Sequence, residues 1–219
     1  MSFSIKSILS NATCYHYFRQ ALTGGMPFHD WVSMYGFQNE GERIADLGCG
    51  PADILRFLKP RAPKPEFYLG IDLSEKYLDS ARARARAAGL NSECLALDLE
   101  KLPTDSSIQK TLMDLLQKHR ITRVLLMGVL HHIDDASALT TLNLVHAVET
   151  VRCMMTSDVV RIPGARINNF YLMMDRGQFI RPESGYDELV ATSSWEKSSK
   201  IWSSPRLSAI RYLHYKLEK

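Results

Sequence analysis

The stretch Arg43-Ile44-Ala45-Asp46-Leu47-Gly48-Cys49-Gly50-Pro51-Ala52 decides how this chain is read. Five residues of strand character run into two glycines spaced by one residue, which allows a sharp strand-to-helix turn and close approach of a ligand to the backbone. A helix is expected from about Ala52 to Phe57, stopped by Pro60 and the Pro63/Pro65 segment. Outward from this point, Phe67 to Ile71 reads as a second strand ending at Asp72. Ser74 then suits a helix N-cap, Glu75 the first turn and Gly89 the stop. A third strand runs from about Glu93 to Leu97 and ends at Asp98. From Ser107, apolar residues at Ile108, Leu112, Leu115 and Leu116 share one helix face. Arg123 to Met127 is aliphatic enough for a buried strand. Asp135 opens a helix carrying Leu139, Leu142, Val145 and Val148, and Val151 to Met155 is the expected fifth strand. Lys200-Ile201-Trp202 and Tyr212 to Leu217 alternate as two final strands. Strands alternating with helices require crossovers between parallel strands, hence an α/β, doubly wound sheet.

Composition narrows the class. The chain has 219 residues, enough for one domain with a sizeable core, and 45% hydrophobic against 23% charged residues rule out disorder and low complexity. A formal charge of +3 gives no electrostatic footprint for nucleic acid or an anionic membrane. Cys14, Cys49, Cys94 and Cys153 are scattered, with no C-x-x-C pair, so neither a disulfide framework nor a cysteine zinc site is expected. The longest apolar stretch, Val124 to Leu130, is too short to span a bilayer, and no secretion signal is visible. A soluble, cytoplasmic protein is the expectation. Of 20 aromatic residues, eight lie in residues 1–40 and eight in 170–219, so the ends differ from the middle. We expect residues 1–40 as a helical cap packed on a single domain at 41–219; plugging of the core at both ends is the plainer alternative.

In an open α/β sheet, ligands bind outside the carboxyl ends of the strands. The first three strands each bring a carboxylate there, Asp46, Asp72 and Asp98, next to Gly48 and Gly50. A dinucleotide fingerprint would place a third glycine where this chain has Asp53, and no Walker lysine follows. The ligand that suits these residues has ribose hydroxyls, an adenine, a cationic centre and no phosphate, a set of properties found in S-adenosylmethionine.

The motifs carry a resemblance. Asp46-Leu47-Gly48-Cys49-Gly50-Pro51-Ala52 resembles the first motif of the class I S-adenosylmethionine-dependent methyltransferases, and Tyr68-Leu69-Gly70-Ile71-Asp72-Leu73-Ser74 the second. Leu97-Asp98 resembles the third, and Met127-Gly128-Val129-Leu130-His131-His132 the fourth. The likeness covers about residues 40–158. More loosely, Tyr17 to Gly24 and Asp175-Arg176-Gly177-Gln178 resemble features of a bacterial small-molecule subgroup often found near surface-polysaccharide or natural-product genes. The resemblance implies a Rossmann-like, mostly parallel seven-stranded sheet with helices on both faces and the last strand antiparallel. It also implies roles. Gly48, Cys49 and Gly50 would pass under the methionine part of the cofactor, and Asp46 would face its ammonium. Asp72, with Leu73, would take the ribose hydroxyls. Asp98 and Leu99 would meet the adenine, and Met127, Gly128 and Val129 would line the wall near the sulfonium. Ala52 stands where the family more often has glycine; a methyl group is tolerable there if the residue sits in a helix's first turn.

On the acceptor side, His132 or His131 is a candidate general base or substrate orienter. Loop packing is the alternative for both. No metal is expected, because adjacent histidines in an extended or turning backbone point different ways and no third imidazole lies nearby. Tyr15, Arg176 and Arg181 are candidate substrate contacts, an arginine fork suiting an anionic group. Arg82-Ala83-Arg84-Ala85-Arg86 reads as a solvated helix face with alanines inward. The expected activity is methyl transfer to an oxygen or nitrogen, less readily a carbon, of a small molecule. A protein or RNA methyltransferase and a silent cofactor-binding protein are the competitors, and whether the chain is a monomer or a homodimer stays open.

Overall fold

The computed structural model describes residues 41–57, 64–175, 177–203 and 210–219. The cap expected at 1–40, with Tyr15 and the Tyr17 to Gly24 segment, lies outside these residues, as does Arg176. The described chain forms one seven-stranded sheet: β1 (Arg43–Leu47), β2 (Phe67–Asp72), β3 (Ser92–Ala96), β4 (Arg123–Met127), β5 (Cys153–Val159), β6 (Glu196–Ser203) and β7 (Tyr212–Glu218). Their order across the sheet is β3-β2-β1-β4-β5-β7-β6. The order reverses at β1, which is parallel to both β2 and β4. Only β7 runs against its neighbours, pairing antiparallel with β5 and β6. This is the doubly wound sheet the alternation implied, in the Rossmann-like, seven-stranded form with an antiparallel last strand that the resemblance implied.

Among the described residues five α-helices lie between the strands: α1 (Glu75–Ala87), α2 (Ser106–Lys118), α3 (Asp135–Ala147), α4 (Arg166–Met174) and α5 (Glu183–Thr192). Their ends are written locally. Ser74 Oγ accepts from the Tyr77 amide and caps α1, while Asp105 and Asp134 cap α2 and α3. At the far end of α1, the Leu90 amide donates to Ala85 O and the Gly89 amide to Arg86 O, a Schellman closure. The same pair of bonds closes α2, from Ile121 to Leu116 O and from Arg120 to Gln117 O. There the left-handed position, at φ +47°, is held by Arg120.

The central strands are covered on both faces, so apolar residues follow one another along them. On one face, Ala45, Leu69, Val124 and Leu126 pack against Leu112 and Leu116 of α2, Leu142 and Val145 of α3, and Leu189 and Val190 of α5. On the other, Ile44, Tyr68, Leu125 and Met155 meet Leu78, Ala81 and Ala85 of α1 and Leu172 of α4. Each such burial of a large aliphatic side chain contributes roughly 1.5–3 kcal/mol, which fixes the strand ends relative to one another. Among the described residues, no helix is long and apolar enough to cross a membrane.

Two local expectations are corrected. The turn after Gly50 leads into a 3-10 turn, Asp53–Phe57, not an α-helix. The fifth strand does not stop at Met155 but runs on to Val159, because seven residues pair with β7. Thr156, Ser157 and Asp158 are polar yet buried, and they break the aliphatic signal without breaking the ladder. Helices α4 and α5 were not read from the sequence at all.

Candidate functional site

The carboxyl ends of β1, β2 and β4 converge on the glycine turn. The amides of Gly48 and Cys49 both donate to Ile71 O, at 2.7 and 2.9 Å, and pin the turn to the end of β2. Gly48 has φ +73°, and a Cβ there would fall 2.4 Å from Val129 Cγ2. Only glycine lets the loop after β4 close this tightly on the loop after β1. A Cβ on Gly50 would meet nothing within 4 Å, so open space lies over this part of the turn. Ala52 is not in a helix's first turn. It sits fully buried at φ +55°, a left-handed conformation that costs an alanine about 1–2 kcal/mol. A glycine would adopt that geometry without the cost. Asp53 then bonds Arg84 of α1 at 2.5 Å, and Arg84 also donates to Pro51 O. Arg84 therefore braces the turn and is not simply solvated.

Asp72 ties three pieces together. Its Oδ2 accepts from the Gly50 amide at 2.8 Å and its Oδ1 from the Ser74 amide at 2.9 Å. Each oxygen keeps a lone pair for a further donor. Leu73 beside it is 69% exposed, an apolar side chain standing at the edge of the site. Asp46 is 3% exposed and accepts a hydrogen bond from the Tyr68 hydroxyl at 2.8 Å. Burial pushes its carboxyl up to about 7; the Tyr68 bond opposes this and the neighbouring Asp72 charge adds to it. The Cys49 thiol is buried too and pushed well up, chiefly by burial and then by the charges of Asp46 and Asp72, so it is a small turn residue and not a nucleophile.

The Leu97 amide donates to Asp72 O, which sets the end of β3 beside that of β2. Asp98 caps the 3-10 turn Leu99–Lys101 by accepting from the Glu100 amide at 3.0 Å. Capping and a place on the ligand edge coexist here. Leu99 is 7% exposed and belongs to the core beneath. Met127 is half-buried at the end of β4, and the Gly128 amide donates to Ser157 O of β5 at 2.7 Å.

The loop after β4 carries the second half of the site. The His132 amide donates to Val129 O, closing a tight turn in which the rings of His131 and His132 lie 4.2 Å apart. The two side chains thus point together, contrary to the divergence expected of adjacent histidines. His131 is 5% exposed, with Nδ1 2.7 Å from Asp158 Oδ1 and Nε2 3.5 Å from Asp175 Oδ1. Burial works against its charge, but the two carboxylates outweigh it and raise the imidazole to about 9. Asp175, although burial opposes its charge, is held well below the usual carboxylate range, first by His131 and then by the Gly177 amide. Gly177 packs directly on this array: a Cβ there would lie 2.4 Å from His131 Cδ2.

Arg181 is put to a different use from the one expected. Its Nε and Nη2 bind Asp135 at 2.8 and 2.6 Å, and Nη2 also reaches Ile133 O at 3.0 Å. Nη1 donates to Phe179 O and Leu130 O, and the guanidinium lies over the Tyr186 ring. Buried and engaged on every side, it braces the loop after β4 against the segment before α5 and has no donor left for a substrate. Sequence reading missed Tyr68, Asp158 and the pairing of Asp175 with His131. For Asp158 the sequence signal is an acid standing between the apolar run that ends at Met155 and Val159-Val160.

Residues 44–149 match the family model described as a methyltransferase domain. No curated protein matches the chain. Among solved structures, the chain is similar to magnesium protoporphyrin IX methyltransferase from Synechocystis PCC 6803 with bound SAH, at 15% identity and TM-score 0.59, covering 100% of this chain and 89% of that one. It is similar to a geranyl diphosphate methyltransferase in complex with GPP and sinefungin, at 11% identity and TM-score 0.60, covering 87% and 77%. The cyclase SpnF is another neighbour, at 15% identity and TM-score 0.60, covering 88% and 79%. At these identities the likeness is one of fold.

Proposed function

We propose a function from one premise: residues 44–149 carry a class I S-adenosylmethionine-dependent methyltransferase domain. The cofactor is S-adenosylmethionine, with S-adenosylhomocysteine as product. The residues present fit it. Open space over Gly50 leaves room at the turn, and a buried carboxyl raised to about 7 at Asp46 is a group that a cationic centre would stabilise. On this reading Asp72 takes the ribose hydroxyls with the lone pairs its two backbone bonds leave over, and Leu73 offers an apolar face beside it. Asp98 receives the adenine amino group. Gly48, Cys49 and Gly50 underlie the methionine part, Asp46 answers its ammonium, and Met127, Gly128 and Val129 form the wall near the reacting end.

When bound, the cofactor supplies an electrophilic methyl group on a sulfonium. The chain's own residues then align the acceptor and exclude water. We place a small-molecule acceptor, reacting at oxygen or nitrogen, at the His131–His132 edge of a soluble, cytoplasmic enzyme. The small net charge supports a small molecule over RNA or protein. Of the two histidines, His132 is the less buried and takes the acceptor's proton, whereas His131 is charged at neutral pH and positions the loop. That charge is also what favours the second reading, a cofactor-binding protein without methyl transfer.

Calorimetric titration with S-adenosylhomocysteine, repeated on Asp72→Ala, tests the cofactor site. Micromolar binding that the substitution abolishes is the expected result. No binding by folded wild-type protein would remove the reading. Turnover with a panel of small hydroxyl and amine acceptors then separates enzyme from silent binder, since only the enzyme releases S-adenosylhomocysteine.

A further inference from the structure

We propose that His131, His132 and Asp175 form a binding site for one divalent cation, of the zinc class by its ligands. One donor atom from each side chain lies within 4.8 Å of the other two. The three residues come from two loops, after β4 and after α4, so their meeting is made by the fold and not by neighbouring sequence alone. Two imidazoles and a carboxylate suit Zn2+ and related first-row ions.

The orientation of His131 carries the argument. Nδ1 faces Asp158 Oδ1 at 2.7 Å, and a carboxylate there holds a proton on Nδ1. Nε2 lies 3.5 Å from Asp175 Oδ1, and when a cation displaces its proton it offers a lone pair across that gap. Two electron-rich atoms facing one another need a positive centre between them. A proton would make only a long hydrogen bond, since good ones span about 2.7–3.2 Å. A cation about 2.1 Å from each atom would subtend roughly 110° across that gap, close to the tetrahedral angle.

The surroundings match a metal's outer shell. A ligating histidine almost always donates its other ring N–H to a carboxylate, and Asp158 stands in that place. Its Oδ1 also accepts from the His131 amide at 3.2 Å, so ring and backbone of that histidine are held by one carboxylate, while Oδ2 is buried with no hydrogen-bond partner among the described residues. The Gly177 amide fixes Asp175 Oδ1 at 2.7 Å, aiming it before any ion arrives. Charge agrees as well: Asp158 and Asp175 together balance one dication. Three protein ligands leave a fourth position open to water or to an acceptor's oxygen. With the ion bound, His132 would act as its ligand and not as a free base. The proposal stands on side chains alone and does not need the methyl-transfer reading.

The test is titration of tag-free, metal-stripped protein with Co2+, followed by competition with Zn2+. We expect one equivalent of cobalt with the visible absorption of a low-coordinate N/O site. His132→Ala and Asp175→Asn should each weaken it at least tenfold, and Asp158→Asn by about 10–100-fold, as outer-shell partners do. Circular dichroism confirms that each variant is folded. No stoichiometric binding by wild type, or equal binding by wild type, His132→Ala and Asp175→Asn, overturns the site and leaves His131 as an imidazolium between two acids. Titration of the same preparation with S-adenosylhomocysteine reports separately: its failure with cobalt binding intact removes the cofactor reading and leaves the metal site, and the converse holds.

Discussion

Asp46 shows how one residue's surroundings set its chemistry. Its carboxyl is buried on β1 and held near 7, against an ordinary value of 3.8, so near neutral pH it exchanges between neutral and charged forms. The sign for folding follows from linkage. A folded value above the unfolded one means the folded state binds the proton more tightly. Stability from this group is complete below about pH 4 and is lost as pH rises through 7. The sign for ligand binding is opposite if the cofactor's ammonium sits against the ionised form. From pH 6 to pH 8 the ionised fraction rises about tenfold, so S-adenosylhomocysteine should bind about tenfold more tightly at pH 8. Calorimetry at the two values checks this, and Asp46→Asn should flatten the dependence. The residue itself was legible from its place at a strand end beside two glycines. Its raised value was not, because that depends on burial between packed layers and on the neighbouring Asp72 charge.

At the scale of elements, helix termini were the most legible features. Ser74 and Gly89 act within a few residues of where they stand, so their roles appear in sequence, whereas the cap of α3 falls on Asp134, one residue before the Asp135 that was read as opening it. Arg120 is the exception worth testing. It holds a left-handed position at the end of α2, which costs a non-glycine residue about 1–2 kcal/mol, while glycine would lose more freedom on folding by about 0.4–1 kcal/mol. Arg120→Gly should therefore raise stability by roughly 0.5–1 kcal/mol, read as a shifted denaturation midpoint at unchanged slope. Strand β5 was read short for the converse reason. Its buried Thr156, Ser157 and Asp158 look like a strand end until β7 is seen pairing along them.

At the scale of the whole molecule, Arg181 links pieces that are distant in sequence. It joins Asp135 and the carbonyls of Leu130 and Ile133 to the chain entering α5. Hydrogen bonds to a charged group contribute about 1.5–3 kcal/mol, and removing this donor set leaves buried carbonyls unsatisfied. Arg181→Ala should cost about 2–4 kcal/mol in chemical denaturation while S-adenosylhomocysteine affinity stays within twofold. A substrate-binding arginine would give the reverse pattern, unchanged stability and a raised KM.

The sequence by itself determined the alternation of strands and helices that makes a doubly wound sheet, and the edge carrying Asp46, Asp72 and Asp98. Each of those depends on periodicity, caps and turns that act over a few residues. Only the tertiary structure decided what His131 and Arg181 do. His131 meets Asp158 across 27 residues and Arg181 meets Asp135 across 46. No local pattern records a contact that exists only once the loops after β4 and β5 are packed against each other. The same packing turns an imidazole into a charged or metal-binding group and an apparent substrate arginine into an internal brace, because burial makes every polar atom's partner a matter of the fold.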